Sequence, residues 1–347
     1  MFTLKNYLKM PVAAALVCAA GMMMTSCINE DLEPCEARYG IRFRWDNNLL
    51  GADAFSGNVH SVAVYGFDSN GVLAFVLTEK GDALAQQGYT LPIDGKNLAP
   101  GDYSVVAWCG LDNDTPDESF IVSDVEIGKT TIQELNCRLE RQIENGTHYS
   151  REQLYDLYHG TSYGITIYDE NNADFAGDHV YPINLTKDTN NVRVMLQQFG
   201  KDVNVENFTF SIEAANGELS SSNDFSDENT PINYEPFYTT TGVADATSET
   251  RADGAISGMG IAIANMKMSR LLYKKPTVLT IRNTDGKKVL QVPMIDYALL
   301  AKDFEYNYLT EQEYLDRQDS YRMIFFLDSN GEWINTSVVI NSWTVYT

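Results

Sequence analysis

The stretch that decides the fold is Val59-His60-Ser61-Val62-Ala63-Val64-Tyr65-Gly66-Phe67, then Asp68-Ser69-Asn70-Gly71, then Val72-Leu73-Ala74-Phe75-Val76-Leu77. Two runs rich in β-branched and aromatic residues flank a turn. Asn-Gly between such runs is a strong hairpin signal, because both central residues tolerate positive φ. The device recurs late in the chain, where residues 323–327 lead into Asp328-Ser329-Asn330-Gly331 and then Glu332-Trp333-Ile334. A third version joins residues 277–283 through Thr284-Asp285-Gly286 to residues 287–292.

Further strands are expected at residues 39–45, 103–108, 164–168, 191–197, 207–213, 260–264 and 337–345. Short strands at this spacing, separated by turn residues, indicate a β-sandwich or barrel. Two helices are expected. Ser150-Arg151-Glu152-Gln153 has the form of a capping box with Leu154, Leu157 and Tyr158 on one face. Thr310-Glu311-Gln312-Glu313 repeats it before Tyr314 and Leu315. Residues 217–254 are polar and aperiodic and read as a long surface loop. Tyr234, Phe237 and Tyr238 within it are a candidate exposed contact patch, unless the loop packs onto its own domain.

The first residues decide location. Lys5 and Lys9 precede an apolar segment, residues 10–24, that ends at Thr25-Ser26-Cys27. A basic start, a short apolar core and small residues at the cut define a secretory signal. The segment is shorter than the roughly 20 residues a spanning helix needs. Met24-Thr25-Ser26-Cys27 resembles the lipobox of bacterial lipoproteins. That resemblance implies a diacylglyceryl group on the sulfur of Cys27, cleavage before it and acylation of the new amine. Ile28 follows in place of the aspartate that retains lipoproteins in the inner membrane. Glu30-Asp31-Leu32-Glu33 resembles the surface-export signal of Bacteroidota lipoproteins. The expected location is the outer membrane, facing outward.

Two of the 25 basic residues leave with this segment, which carries no acidic residue. The remaining 23 face 48 acidic ones. Such a surface repels nucleic acid and anionic lipid, so nucleic-acid binding is excluded. With Cys18 in the signal and Cys27 lipidated, Cys35, Cys109 and Cys137 remain. Three cysteines in an exported chain allow one disulfide, and Cys35 with Cys137 is the expected pair. No zinc-type CxxC pair is present.

Catalytic patterns are missing from the sequence. His60, His148, His159 and His179 are scattered, with no HExxH spacing. There is no GxSxG elbow and no phosphate loop. Gly258-Met259-Gly260 lacks the third glycine of a dinucleotide loop. Asp112-Asn113-Asp114-Thr115-Pro116-Asp117-Glu118 starts like a calcium loop, but Pro116 and the missing glycine break the pattern. No enzyme, metal or cofactor is expected.

Several segments together resemble the Bacteroidales fimbrial anchor lipoproteins. They are the lipobox cysteine with Asp31-Leu32-Glu33-Pro34-Cys35, the run Leu98-Ala99-Pro100-Gly101-Asp102-Tyr103-Ser104-Val105-Val106-Ala107-Trp108, and Leu157-Tyr158-His159-Gly160. Near the end come Glu313-Tyr314-Leu315-Asp316-Arg317 and Ile340-Asn341-Ser342-Trp343. They occur in the family's order and span nearly the whole mature chain; Cys109 departs from the pattern. The resemblance implies an all-β fold of two tandem transthyretin-like β-sandwich domains with short helices. The organisation expected is a signal peptide at 1–26, a lipidated tether at 27–36, an N-terminal sandwich at 37–182 and a C-terminal sandwich at 183–347. It also implies a role without catalysis. Lipid on Cys27 holds the chain in the outer membrane, and sheet edges contact fimbrial stalk or accessory subunits by strand pairing. The final run, 337–345, serves either as a last strand or as one that is offered. The rival readings are a surface glycan-binding lipoprotein, favoured by exposed coplanar aromatics rather than a buried Trp108 and Trp343, and a fimbrial tip adhesin.

Overall fold

The computed structural model describes residues 36–111, 119–169, 175–225, 229–244 and 258–346. The fold is all-β, with a few short helices. In the first half run β1 (Ala37–Arg44), β2 (Ser61–Phe67), β3 (Leu73–Lys80), β4 (Leu91–Ile93), β5 (Gly101–Cys109), β6 (Phe120–Val122) and β7 (Asn136–Leu139). They are followed by β8 (Gln142–Glu144), β9 (Thr147–Ser150), β10 (Tyr158–Ile167), β11 (Gly177–Asn184) and β12 (Thr186–Lys187). The second half holds β13 (Thr189–Phe199), β14 (Phe208–Ala214), β15 (Glu218–Ser220), β16 (Ile232–Tyr234), β17 (Tyr238–Ala244) and β18 (Met259–Ser269). It closes with β19 (Thr277–Asn283), β20 (Lys288–Pro293), β21 (Ser320–Leu327), β22 (Trp333–Ile340) and β23 (Trp343–Tyr346).

The first sandwich packs the sheet β11-β1-β4 over the sheet β12-β10-β5-β2-β3. Ile41 and Phe43 of β1 point inward, while Arg42 and Arg44 face solvent. They meet Val62 and Val64 of β2, Val105 and Ala107 of β5, and Ile165 of β10. The alternate residues of the same strands, Ala63, Tyr65, Phe67, Val106 and Trp108, enter a second core. The middle strands of this sheet are therefore covered on both faces, which is why 61–67 reads as a near-continuous apolar run.

The second core is continuous through the rest of the molecule. It holds Leu135, Cys137 and Leu139 from the small sheet β15-β7-β6, Val192 to Leu196 at alternate positions, and Tyr321, Met323 and Phe325. Two six-stranded sheets frame it, β17-β18-β13-β21-β22-β23 and β20-β19-β14-β16-β9-β8. The sequence divides the chain at 182/183, but strand pairing draws the line differently. β9 pairs in parallel with β16 (His148 beside Ile232), and β7 pairs with β15 (Cys137 beside Leu219). Residues 120–150 thus complete sheets of the second half. Conversely, β11 and β12 still belong to the first sandwich, up to Lys187.

All three predicted hairpins form, but with a different turn. Only the glycines Gly71, Gly286 and Gly331 have positive φ, at 74°, 77° and 80°. At the first turn Asp68 Oδ1 accepts from the amides of Asn70 and Val72, both at 2.9 Å. Asp328 repeats this at 2.8 Å to Asn330 and Glu332, and Asn283 does so toward Asp285 and Lys287. Each ladder then shifts register beside the turn, at Gly66/Phe67, Ile281/Arg282 and Phe325/Leu327. This is a side-chain-braced turn with one left-handed glycine and a bulge.

Three other expectations are corrected. Ser150 ends β9, and no helix follows. Its carbonyl accepts from Glu235 N at 2.9 Å, and Arg151 pairs with Glu235 and Glu144. Leu157 and Tyr158 enter opposite cores, as neighbours in extended chain do. The expected loop at 217–254 contains β15, β16 and β17. The expected single strand at 337–345 is a hairpin, broken where Asn341 takes φ 55° between β22 and β23. The second capping box does form. Thr310 N donates to Glu313 Oε2 at 2.8 Å and Glu313 N to Thr310 Oγ1 at 3.3 Å, starting a helix at Glu311–Arg317.

Candidate contact surfaces and the junction that orients them

Where the two halves meet, charges are buried rather than apolar groups alone. Lys187, 8% exposed, places Nζ 2.8 Å from Asp319 Oδ2 and 3.0 Å from Asp156 Oδ2. Lys267 Nζ lies 2.6 Å from Asp156 Oδ1, which also accepts from Thr189 Oγ1 at 3.0 Å. The Lys187 ammonium also sits 5.7 Å from the Trp45 ring and 5.9 Å from that of Tyr158, near enough for cation–π attraction. Burial pushes the Asp156 carboxyl up, but Lys187 and Lys267 outweigh it and hold it below the usual carboxylate range. Beside it Arg270 forms a two-pronged contact with Asp316 (2.9 Å twice), while Asp188 lies fully buried 3.8 Å away. Burial raises Asp188 to about 7, against the pull of Arg270 and the amide of Asn223, which donates at 2.9 Å.

Two of the motifs singled out in the sequence, residues 157–160 and 313–317, converge here, together with Trp108 of a third. Leu157 and Tyr158 are fully buried, Tyr158 edge-on to Trp45 at 5.1 Å. His159 lies 4.5 Å from the Trp108 ring, with Nε2 3.0 Å from the carbonyl of Ser221. Gly160 has no room for a Cβ, which would meet Ile183 Cγ2 at 2.5 Å and the Asn184 carbonyl at 2.8 Å. Tyr314 and Leu315 enter the shared core, Asp316 holds Arg270, and Arg317 donates to the Asp46 carbonyl at 3.4 Å. These residues fix the two halves into one body. Sequence spacing gave no hint of the partners Lys187, Lys267 and Arg270, because each reaches its carboxylate across tens of residues of chain.

The expected contact patch is not assembled. Tyr234 is fully buried with its hydroxyl on Asn216 Oδ1 at 2.7 Å, and Phe237 is partly buried; Tyr238 alone is exposed. Trp108 is fully buried, while the side chain of Trp343 lies outside the described set. Cys27, Cys35 and the acidic run 112–118 also lie outside the described residues; Cys137 is buried in β7. His60 is exposed, His179 stacks on Tyr39 at 5.2 Å, and His148 lies in β9. Among the described residues, no group of three or more His, Cys, Asp and Glu is placed to hold a metal ion.

The sheet edges differ in how they are protected. Edges are commonly blunted by shortness, charge, proline or a bulge. The edges β4, β6, β8, β12, β15 and β23 have four residues or fewer. β3 carries Glu79, Lys80 and a bulge; β11 carries Asp178 and Pro182; β20 carries Lys288, Pro293 and a bulge. β17, Tyr-Thr-Thr-Thr-Gly-Val-Ala, has none of these and pairs without a register shift along β18. The final strand β23 is paired with β22 of its own chain, Ile340 opposite Trp343.

The family model of fimbrillin-A associated anchor proteins Mfa1 and Mfa2 matches residues 32–347. A candidate adhesin of known structure from Bacteroides thetaiotaomicron is 30% identical, with a TM-score of 0.75, covering 91% of this chain and 99% of its own. A candidate polysaccharide-binding protein from the same organism is 27% identical, with a TM-score of 0.72 and coverage of 90% and 98%. The fimbrial anchor protein Mfa2 from Porphyromonas gingivalis shares the fold at 17% identity, with a TM-score of 0.64 and coverage of 90% and 100%. Among curated proteins none matches.

Proposed function

The chain belongs to the family of fimbrillin-A associated anchor proteins, and from that premise we propose that it is a non-enzymatic lipoprotein holding fimbriae on the outer membrane. The observation that carries the reading is the position of the family match. It begins at residue 32, five residues after Cys27 in a segment that resembles a lipobox, so a lipid on that cysteine would lead directly into the anchor body. Three acyl chains hold firmly where one binds only marginally, since each buried methylene contributes about 0.8 kcal/mol. The junction supports the role mechanically. A tether at one end and a polymer at the other require a body that does not flex between them, and the buried ion pairs and shared core join the halves. The partner contact runs along β17, where an extended strand of a fimbrial subunit adds to the six-stranded sheet. Main-chain hydrogen bonds supply affinity there.

The test is Cys27→Ala in cells that make fimbriae. The protein is expected in the soluble fraction and the fimbriae in the medium. Fimbriae that stay attached would overturn anchoring. Protease treatment of whole cells should cleave the wild-type protein; protection until lysis would overturn the outward orientation. A second reading, a tip adhesin, draws on the 30% identical candidate adhesin. Immunogold labelling of isolated fimbriae separates the two, placing label at the base for an anchor and at the free end for an adhesin.

A further inference from the structure

The six-stranded sheet that begins at β17 is apolar on both faces over much of its length. Its inner side chains, among them Val194, Ala264 and Met323, line the second core. On the outer face Ile263, Met195, Ile324 and Val339 stand in one row across β18, β13, β21 and β22, each directly beside the next. All four are half-buried, and none belongs to or packs against either core. Phe326 stands beside Gln197, and Phe199, 66% exposed, lies opposite Met259. A sheet with one face on a core and one in water commonly alternates apolar and polar residues. The sheet across the core does so: β14 turns Thr209, Ser211 and Glu213 outward. β18 and β21 instead contain the runs Met-Gly-Ile-Ala-Ile-Ala and Met-Ile-Phe-Phe-Leu. In β2 the same signature goes with a core on each side; here the described residues supply only one.

The same face ends in charge. Two residues before Met195 and Ile324 stand Arg193 and Arg322, side by side and exposed. Among the described residues neither guanidinium has an ion pair or hydrogen bond. Like charges beside each other on a sheet face repel, and a carboxylate set over them relieves both. With strands about 4.8 Å apart and about 3.3 Å per residue, the apolar rows span roughly 300 Å². Patches of this size are often functional. Alone it falls short of the roughly 800 Å² that each partner of a stable complex covers. It is continuous with β17, however, where Thr240 lies directly beside Ile263. A body joined to the β17 edge reaches Met195 across a single intervening strand, β18. A second copy of this chain fits less well, since both would carry a net charge of −23 and the same arginines. We propose, resting on the reading of β17 as the edge that subunits join, that the fimbrial subunit bound there also covers this face. It lays an apolar surface over Met195 and Ile324 and a carboxylate against Arg193 and Arg322.

The methionines report on the face directly. The purified full-length chain in mild detergent is oxidised with dilute hydrogen peroxide, alone and with the stalk subunit purified from fimbriae of the same cells. Mass spectrometry then reads sulfoxide at each methionine. In the chain alone Met195 and Met259 should oxidise, while Met266, Met268 and Met323, sealed in the core, should not. The subunit should slow oxidation of Met195 and Met259 several-fold. Arg322→Glu should weaken subunit binding by about tenfold or more with Tm unchanged, because it sets a carboxylate against the one it would meet. Thr239→Lys separates the face from the edge. If it weakens binding but the bound subunit leaves Met195 and Met259 fully reactive, the face contact is overturned and the β17 reading stands. If it changes nothing while both methionines stay protected, the β17 reading falls and the face contact stands. No binding at all overturns both. Arg322→Glu binding as tightly as wild type would overturn the face contact, as would protection that rises with the concentration of the chain alone, the mark of a self-interface.

Discussion

Replacing Lys187 with methionine isolates the ion pairs at the junction. Methionine comes close to the length of the lysine stem, so the change removes the charge, including its attraction to the Trp45 and Tyr158 rings, more than volume. Breaking a fully buried pair from one side costs about 3–5 kcal/mol, because the other charge is left without compensation. Two features lower that figure here. The side chains of Asp156 and Asp319 are 34% and 35% exposed, and Asp156 keeps Lys267 at 2.6 Å. We expect a loss of about 2–3 kcal/mol at pH 7 after allowing for that solvent access. The pH dependence follows from Asp156, whose folded pKa is lowered. Stability from a depressed carboxylate is present above its unfolded pKa near 3.9 and lost as pH falls through the folded value. Without Lys187, burial has less opposition and the folded pKa of Asp156 rises. The gap between wild type and Lys187→Met should therefore be widest at neutral pH and narrow toward pH 4. Urea unfolding followed by tryptophan fluorescence measures both, with Trp45 beside the substituted position. A loss under about 1 kcal/mol at pH 7, or a gap of constant size down to pH 4, would refute the assignment of the junction to these charges.

Three further outcomes are expected. Burial drives His159 down to about 4, so between pH 6.5 and 4 the unfolded chain takes up a proton that the folded chain refuses. Stability should fall by about 3 kcal/mol across that window, and His159→Phe should flatten this part of the urea-midpoint profile. Gly160→Ala puts a methyl against Ile183 and the Asn184 carbonyl and should cost about 1–3 kcal/mol in thermal or urea melts. Thr239→Lys, on the exposed face of β17, should leave Tm within about 1 °C but weaken pull-down of fimbrial subunits, because an edge lysine deters strand addition.

The hairpins and most strands were legible because turn chemistry is local. Asp68 and Asp328 sit two and four residues before the amides they brace, and the pattern repeats in both halves. The turn class was not legible, since Asn-Gly serves two geometries and only the bulge beside Phe67 and Leu327 tells them apart. The false helix at Ser150 shares its four-residue signature with the true one at Thr310. What separates them is Glu235, which is 85 positions from Ser150 and bonds to its carbonyl. The same distance in sequence hid the junction. Leu157-Tyr158-His159-Gly160 stood out as a motif, yet its purpose rests on Trp45, Trp108 and Ile183, which no spacing rule connects to it.

Residues 120–150 leave the first sandwich, complete sheets of the second half, and return before β10 closes the first. As the chain is made from its N-terminus, β1 waits for β11, and β9 waits for β16, which lies more than 80 residues later. Neither half can be finished and set aside while the other is built. Contacts so far apart in sequence make slow folders with open edges exposed in the interval. A chain threaded this way gains a body that comes apart only as a whole, and it acquires with it a dependence on being kept from its neighbours until the last strands arrive.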